Sequence, residues 1–436
     1  MREPASTTAT VDVPTPTPPP DVMDEHEQRG ALLRLGLVVI AGLAVAAFFG
    51  AFETVLVVLA LLIMIVLHEF GHFVAAKRAG MKVSEFFVGF GPRIWAVTKG
   101  ETTYGIKALP LGGYCRIIGM TNVEQVDPVD EPRAYRNQPT WRRLTVALAG
   151  SFVHFCIAFV LLIVLFVGPG DIGNFIGDPP AGNPIAAVDS FASGPSPAQV
   201  AGLRPGDSIV AVDGHHFADW DALTTYLRAR PDQKVTLTIE RKGRTFTTST
   251  VLANGSKVIV KGETSPIYSK PTGLLGIEAG PVRLGLLDSI GHAGTSFGAT
   301  AVTSVTGLAH VVTDFSGYAH MLDSQKAADS PTAQRFVSPV GVVVLAHKAT
   351  EIGISEVLYL LILINIFVGI FNLVPLLPLD GGHVAIALYE KARSLGRRRP
   401  YHADVNRLAP LLYAVLAVLA FYAISSLFLD LRDLLG

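Results

Sequence analysis

Charge is scarce in this chain. Of its 436 residues only 16% are Asp, Glu, Lys or Arg, against about 25% in an average soluble domain. Half are hydrophobic and the mean hydropathy is +0.44, so a membrane must take up much of the apolar surface. Neither sign of charge dominates. The 35 Lys and Arg against 36 Asp and Glu leave a net charge of −1, which argues against a nucleic-acid partner. Cysteine is nearly absent: Cys115 and Cys156 are the two, the second inside an apolar run, which argues against a disulfide framework. Arginine outnumbers lysine, 23 to 12. That bias is the product of a GC-rich bacterial genome and points to a bacterial cell membrane.

Long apolar runs are present. Residues 1–30, with TPTPPP and the acidic DVMDEHEQR, have nothing to bury and read as a disordered cytoplasmic tail. Five segments then reach spanning length: Leu32–Ala51, Thr54–Ala76, Leu144–Val167, Ile354–Leu376 and Leu408–Phe428. The first, an extra transmembrane helix at 31–52, turns directly into the second. Lys77 to Arg143 holds eleven Lys and Arg, and the segment after the fourth span holds Lys391, Arg393, Arg397, Arg398, Arg399 and Arg407. The positive-inside rule places these segments and the N-terminus in the cytoplasm. Gly168 to Glu351 is then extracytoplasmic.

Within that outer region, AGLRPGDSIVAVDG (Ala201–Gly214) predicts a turn, an alternating strand and an Asp-Gly turn. WDALTTYLRAR follows with helical spacing, and KVTLTIERKGRTFTTSTVL is a period-two hairpin turning at Lys242-Gly243. This stretch, 183–265, resembles a PDZ domain of the bacterial protease type, with Gly202, Leu203, Gly206 and Asp207 in the family's pattern. Turn formation accounts for these glycines without any ligand. Residues 277–351 read as an extracytoplasmic linker or amphipathic region.

The second span contains HEFGH, His68 to His72. Four positions on a helix bring both imidazoles to one face, where they can share a zinc ion. Glu69 lies where it can act as general base on water at the metal. Ionisable groups in a span are costly unless paired, and mark function. Zinc in a hydrolase needs a third protein ligand. NLVPLLPLDGGH, Asn372 to His383, breaks the fourth span with two prolines and supplies Asp380. On spacing alone, Asp380 either completes the metal site or caps the helix that follows.

These motifs resemble the site-2 protease family of intramembrane zinc metalloproteases, whose bacterial members include the regulator of sigma-E protease. The resemblance runs from Val55 to Phe428 and rests on HExxH and on Asn372…Pro375…Asp380-Gly381. It implies His68, His72 and Asp380 as ligands of one Zn2+ per chain, Glu69 as catalytic base, and Asn372 and Pro375 as substrate-binding residues. It further implies regulated intramembrane proteolysis of single-span membrane proteins, of the anti-sigma-factor or signal-peptide-remnant kind. Phe86–Met120 resembles the family's re-entrant β-hairpin region. ALAGSFVHF departs from the family's Ala-Gly-Pro-x-x-Asn-Phe: Ser151 and His154 replace the proline and asparagine. A hydrogen-bonded helix–helix histidine is the preferred reading of His154. His383 reads equally as an outer contact of the site or a helix-start residue.

The expected fold is a polytopic α-helical membrane protein with a membrane-associated β-hairpin region and an inserted α+β PDZ-like domain. The protease core occupies 53–168 and 352–430. Two rival readings share the residues. A non-haem iron oxygenase would use two histidines and a carboxylate, but needs no Glu69 beside the first ligand. A membrane-anchored PDZ adaptor would have no use for an intact HExxH with a third ligand.

Overall fold

A computed structural model describes residues 52–435 except 121–123, 174, 176–181, 193, 260–267, 314–336 and 396–400, with isolated positions between 30 and 48. But for those positions, the tail expected at 1–30 and the span expected at Leu32–Ala51 lie outside the described residues. Helix α1 (Phe52–Arg78) leads into strands β1 (Val83–Lys99) and β2 (Thr102–Ile117), then helix α2 (Thr140–Val167). A small α+β unit follows: β3 (Ile185–Val188), β4 (Ser208–Val212), α3 (Trp220–Arg228), β5 (Lys234–Arg241), β6 (Arg244–Val251) and β7 (Ile277–Ala279). The chain ends in α4 (Leu286–Thr313), α5 (Pro339–Ile352), α6 (Ile354–Asn372), α7 (Asp380–Ser394) and α8 (Ala409–Leu435). Among the described residues α1, α2, α6 and α8 are long and apolar enough to cross a membrane.

Lipid is as apolar as leucine, so spans associate through close packing of small residues rather than hydrophobic burial. Gly71 of α1 is such a contact: a Cβ there would meet Val153 Cγ2 at 2.8 Å and Ala149 O at 2.9 Å on α2. Ala158, Leu162, Leu165 and Phe166 of α2 pack on Leu358, Ile362 and Ile366 of α6 and on Ala293 of α4. Val57 and Met64 of α1 pack on Ala346 and Ala349 of α5 and on Val357 and Leu361 of α6. The region expected as a linker or amphipathic segment at 277–351 thus contains two helices packed on the spans through small residues. Helix α6 stops at Asn372, short of the Leu376 expected from hydropathy, because Pro375 has no N–H to continue it and constrains the residue before it.

The β region is more than one hairpin. Glu85–Val88 is flanked on one side by Gly113–Arg116 and on the other by Thr103–Ile106, while Arg93–Lys99 pairs with Thr102–Lys107. Both long strands double back, and Gly113–Arg116 forms one edge. The tip is tied to the end of α1: Glu101 accepts from Lys77 Nζ at 2.5 Å and from Arg133 at 2.5 and 2.8 Å. The Arg133 guanidinium, then Lys77, holds the Glu101 carboxyl at about 2.

In the small unit, β4, β5 and β6 form a three-stranded sheet over α3, with Ile209, Leu223, Leu227, Leu237 and Ile239 in its core. Its boundary lies beyond the expected residue 265, because β7 pairs with β3 and brings Ile277–Ala279 into the unit. Buried Asp207 receives Arg241 at 2.6 and 2.7 Å and the Arg204 N–H at 2.8 Å, and the Arg241 pairing holds its carboxyl below the usual carboxylate range. Gly202 and Gly206 have positive φ in the turn that makes this pocket. The connections into and out of the unit run side by side: Asp171 and Val282 exchange backbone hydrogen bonds of 2.9 and 2.7 Å, next to Leu284 N to Phe166 O. The unit hangs from the end of α2 on this two-stranded stalk.

Candidate metal centre

Helix α1 turns His68 and His72 to the same side, toward α2 and the start of α7. The two Nε2 atoms are 3.2 Å apart. Asp380 Oδ2 lies 3.3 Å from His68 Nε2 and 3.2 Å from His72 Nε2. Tetrahedral ligands at about 2.0–2.1 Å from zinc stand roughly 3.3–3.4 Å from one another. Three corners are therefore already spaced for the ion. Asp380 Oδ2 is also buried with no hydrogen-bond partner, a costly state for a carboxylate unless a cation takes that place. The residues fit zinc.

Each arm of the triangle has a local cause. His72 Nδ1 donates to Val146 O at 2.7 Å, which leaves the lone pair on Nε2. Asp380 opens α7, but Leu379 is the cap residue and no side-chain capping bond forms. The capping alternative for Asp380 is not what the carboxylate does. Gly381 lets this first turn press on the chain leaving α6, since a Cβ there would collide with Leu373 O and Val374 O. Gly150 of α2 lies against both imidazoles: a Cβ would meet His72 Nε2 at 2.5 Å and His68 Nε2 at 2.6 Å. Glu69, half-buried, lies beside the Gly113–Arg116 edge: a Cβ on Gly113 would stand 3.4 Å from its Cγ.

Comparison with known proteins decides among the readings. A model of peptidase family M50 matches residues 56–420. The zinc metalloprotease Rip1 of Mycobacterium tuberculosis is 32% identical over 398 residues, covering 86% of this chain and 96% of the relative. Rip1 of Mycolicibacterium smegmatis is 32% identical over 400 residues, with the same coverage. The chain belongs to peptidase family M50. As an M50 member it is an intramembrane zinc metalloprotease with Zn2+ as its cofactor, and the iron-oxygenase and adaptor readings fall away.

The other sequence-predicted positions are placed differently. Asn372 closes α6. Pro375 lines a cavity of about 690 Å3 with Leu376, Gly382, Tyr389, Tyr401 and Arg407. Among the described residues neither is hydrogen-bonded to the three metal-group side chains. His383 stacks edge-on to Tyr135, with centroids 6.2 Å apart. His154 is the helix–helix histidine expected: its Nδ1 meets Asn365 Oδ1 of α6 at 2.8 Å. Sequence reading did not single out Asn365, Gly150 or the Gly113–Arg116 edge. A signal existed for Asn365, an amide in an apolar run. For Gly150 and the edge strand only the tertiary arrangement reveals the role.

Gly150 yields a direct prediction. Gly150→Ala puts a methyl group where the two Nε2 atoms sit, so the purified protein should lose its zinc by elemental analysis while α2, with alanine a better helix former, stays folded. Retention of one zinc per chain by this variant would contradict the packing described.

Proposed function

We propose that His68, His72 and Asp380 hold the zinc, that Glu69 is the general base, and that the substrates are single-span membrane proteins already trimmed outside the membrane. The observation that carries the ligand assignment is the approach of Asp380 Oδ2 to within 3.3 Å of both imidazoles from a different helix, far along the chain. When bound, zinc supplies Lewis-acid polarisation of the scissile carbonyl and acidifies a water. Glu69, next to His68 and beside the Gly113–Arg116 edge, takes a proton from that water as its oxygen bonds to the carbonyl carbon. It passes the proton to the amine nitrogen as the C–N bond breaks.

A substrate helix keeps its carbonyls in internal hydrogen bonds, and unwinding it in lipid exposes backbone groups at several kcal/mol each. The enzyme must replace those bonds. Strand addition to the β region does so. The supporting edge is Gly113–Arg116, which lies beside Glu69. Asn372 offers an amide to the unwound backbone, and Pro375 shapes the wall toward the cavity behind it.

The charge bias puts Lys77–Arg143, Lys391–Arg407 and the N-terminus in the cytoplasm, and the α+β unit outside as a PDZ-like domain. Its turn glycines and the Asp207–Arg241 pair are explained by the fold itself. The unit acts as a size filter on the stalk at the end of α2, excluding substrates with bulky outer domains.

Two experiments test this reading. His68→Ala, His72→Ala and Asp380→Ala should each lose zinc and cleavage of a model substrate, whereas Glu69→Gln should lose cleavage and keep zinc. Turnover by Glu69→Gln at the parent rate would remove Glu69 from the mechanism. Replacing residues 184–279 by a short Gly-Ser join across the stalk should let untrimmed substrates be cut and leave trimmed ones cut about as before. Loss of trimmed-substrate cleavage with zinc retained would instead favour a peptide-receptor domain.

A further inference from the structure

The two histidines of the centre are supported unequally. A metal-bound imidazole needs an acceptor for its other ring N–H, which fixes the tautomer and raises ligand basicity. His72 has one in Val146 O. His68 Nδ1 is buried and makes no hydrogen bond. The ring beside it is His154, centroid to centroid 5.0 Å and tilted by 44°, itself only 2% exposed.

The hydrogen bonds around His154 determine which of its nitrogens is free. Asn365 Nδ2 donates to Leu361 O at 2.8 Å and lies 2.6 Å from Met64 Sδ. Its Oδ1 therefore faces His154 Nδ1 at 2.8 Å. Only a protonated Nδ1 can donate to that oxygen, so Nε2 of the neutral ring carries the lone pair. His154 thus has an acceptor nitrogen next to the imidazole that lacks one. In this structure the two nitrogens are not hydrogen-bonded, but with the centroids 5.0 Å apart a turn of either ring brings them within reach.

We propose that His154, held by Asn365, is a positioning residue that accepts the Nδ1–H of His68 and so fixes His68 as a zinc ligand. This rests on the assignment of His68 as a ligand. The chain runs from Asn365 on α6 through His154 on α2 to His68 on α1, and couples the packing of three spans to metal affinity. It gives a chemical role to the position where this sequence departs from the asparagine of its family. Ser151, one turn before His154 on α2, also has a buried hydroxyl without a partner and is the competing acceptor.

Zinc affinity of the full-length protein in detergent, measured by competition with a chromophoric chelator, tests the proposal without any turnover assay. His154→Ala should weaken zinc binding by about 10–100-fold, the usual cost of removing such a partner. His154→Gln, whose amide oxygen reaches the place of Nε2, should restore most of it. Asn365→Ala keeps the imidazole but frees its tautomer and should weaken binding severalfold, and it carries the test if His154→Ala does not fold. Affinity at the parent level in both His154→Ala and Asn365→Ala, with His68→Ala unable to bind, overturns the proposal and leaves the ligand assignment standing. Parent-level binding by His68→Ala removes the ligand assignment, and the proposal with it. A loss confined to Ser151→Ala makes serine the acceptor and also overturns it.

Discussion

The structure depends on keeping two imidazole nitrogens and a carboxylate oxygen 3.2–3.3 Å apart inside a helical bundle. An uncompensated carboxylate at such a place is strongly unfavourable, and a shared metal ion would satisfy all three atoms at once. Helix α1 fixes the two imidazoles through a four-residue spacing. The glycines of α2 and α7 let the neighbouring backbones come close enough. Gly150 admits the rings, and Gly381 lets Asp380 emerge from a helix start that crowds the end of α6. The proline break after Asn372 is required by the same geometry, since a continuous α6 would carry Asp380 past the metal group.

Around that centre the remaining elements fall into two groups. Helices α4 and α5 brace the spans through alanine contacts with α1, α2 and α6. The doubled-back β region brings an edge strand to Glu69, and its tip is fastened to α1 by the Lys77–Glu101–Arg133 cluster. The α+β unit stands apart on its stalk. Its stability is its own, from the Ile209, Leu237 and Ile239 core and the buried Asp207.

Local patterns carried much of this into the sequence. The apolar runs account for α1, α2, α6 and α8. The HEFGH spacing and the Asp-Gly following two prolines pointed to the three side chains that the structure brings together. Features set by long-range pairing were not legible. The extension of the α+β unit to Ala279 depends on a partner strand some ninety residues earlier. The edge at Gly113–Arg116 depends on β1 and β2 folding back at glycine-rich bends, where pairing on both sides of Glu85–Val88 leaves no local mark. The Gly/Ser/Thr-rich stretch after Ala279 resembles a linker in composition, yet small side chains are what a helix needs to pack on spans. His154 was legible as a helix contact, but its partner Asn365 and its proximity to His68 were not.

The central claim is that one zinc ion is held by two imidazoles and a carboxylate at membrane depth. X-ray absorption at the zinc edge of the purified full-length protein tests it most directly. The account predicts one zinc per chain with only nitrogen and oxygen neighbours at about 2.0–2.2 Å, and imidazole scattering that fits two histidines. A sulfur neighbour, which would bring in Cys115 or Cys156, or scattering from a single imidazole, would contradict it.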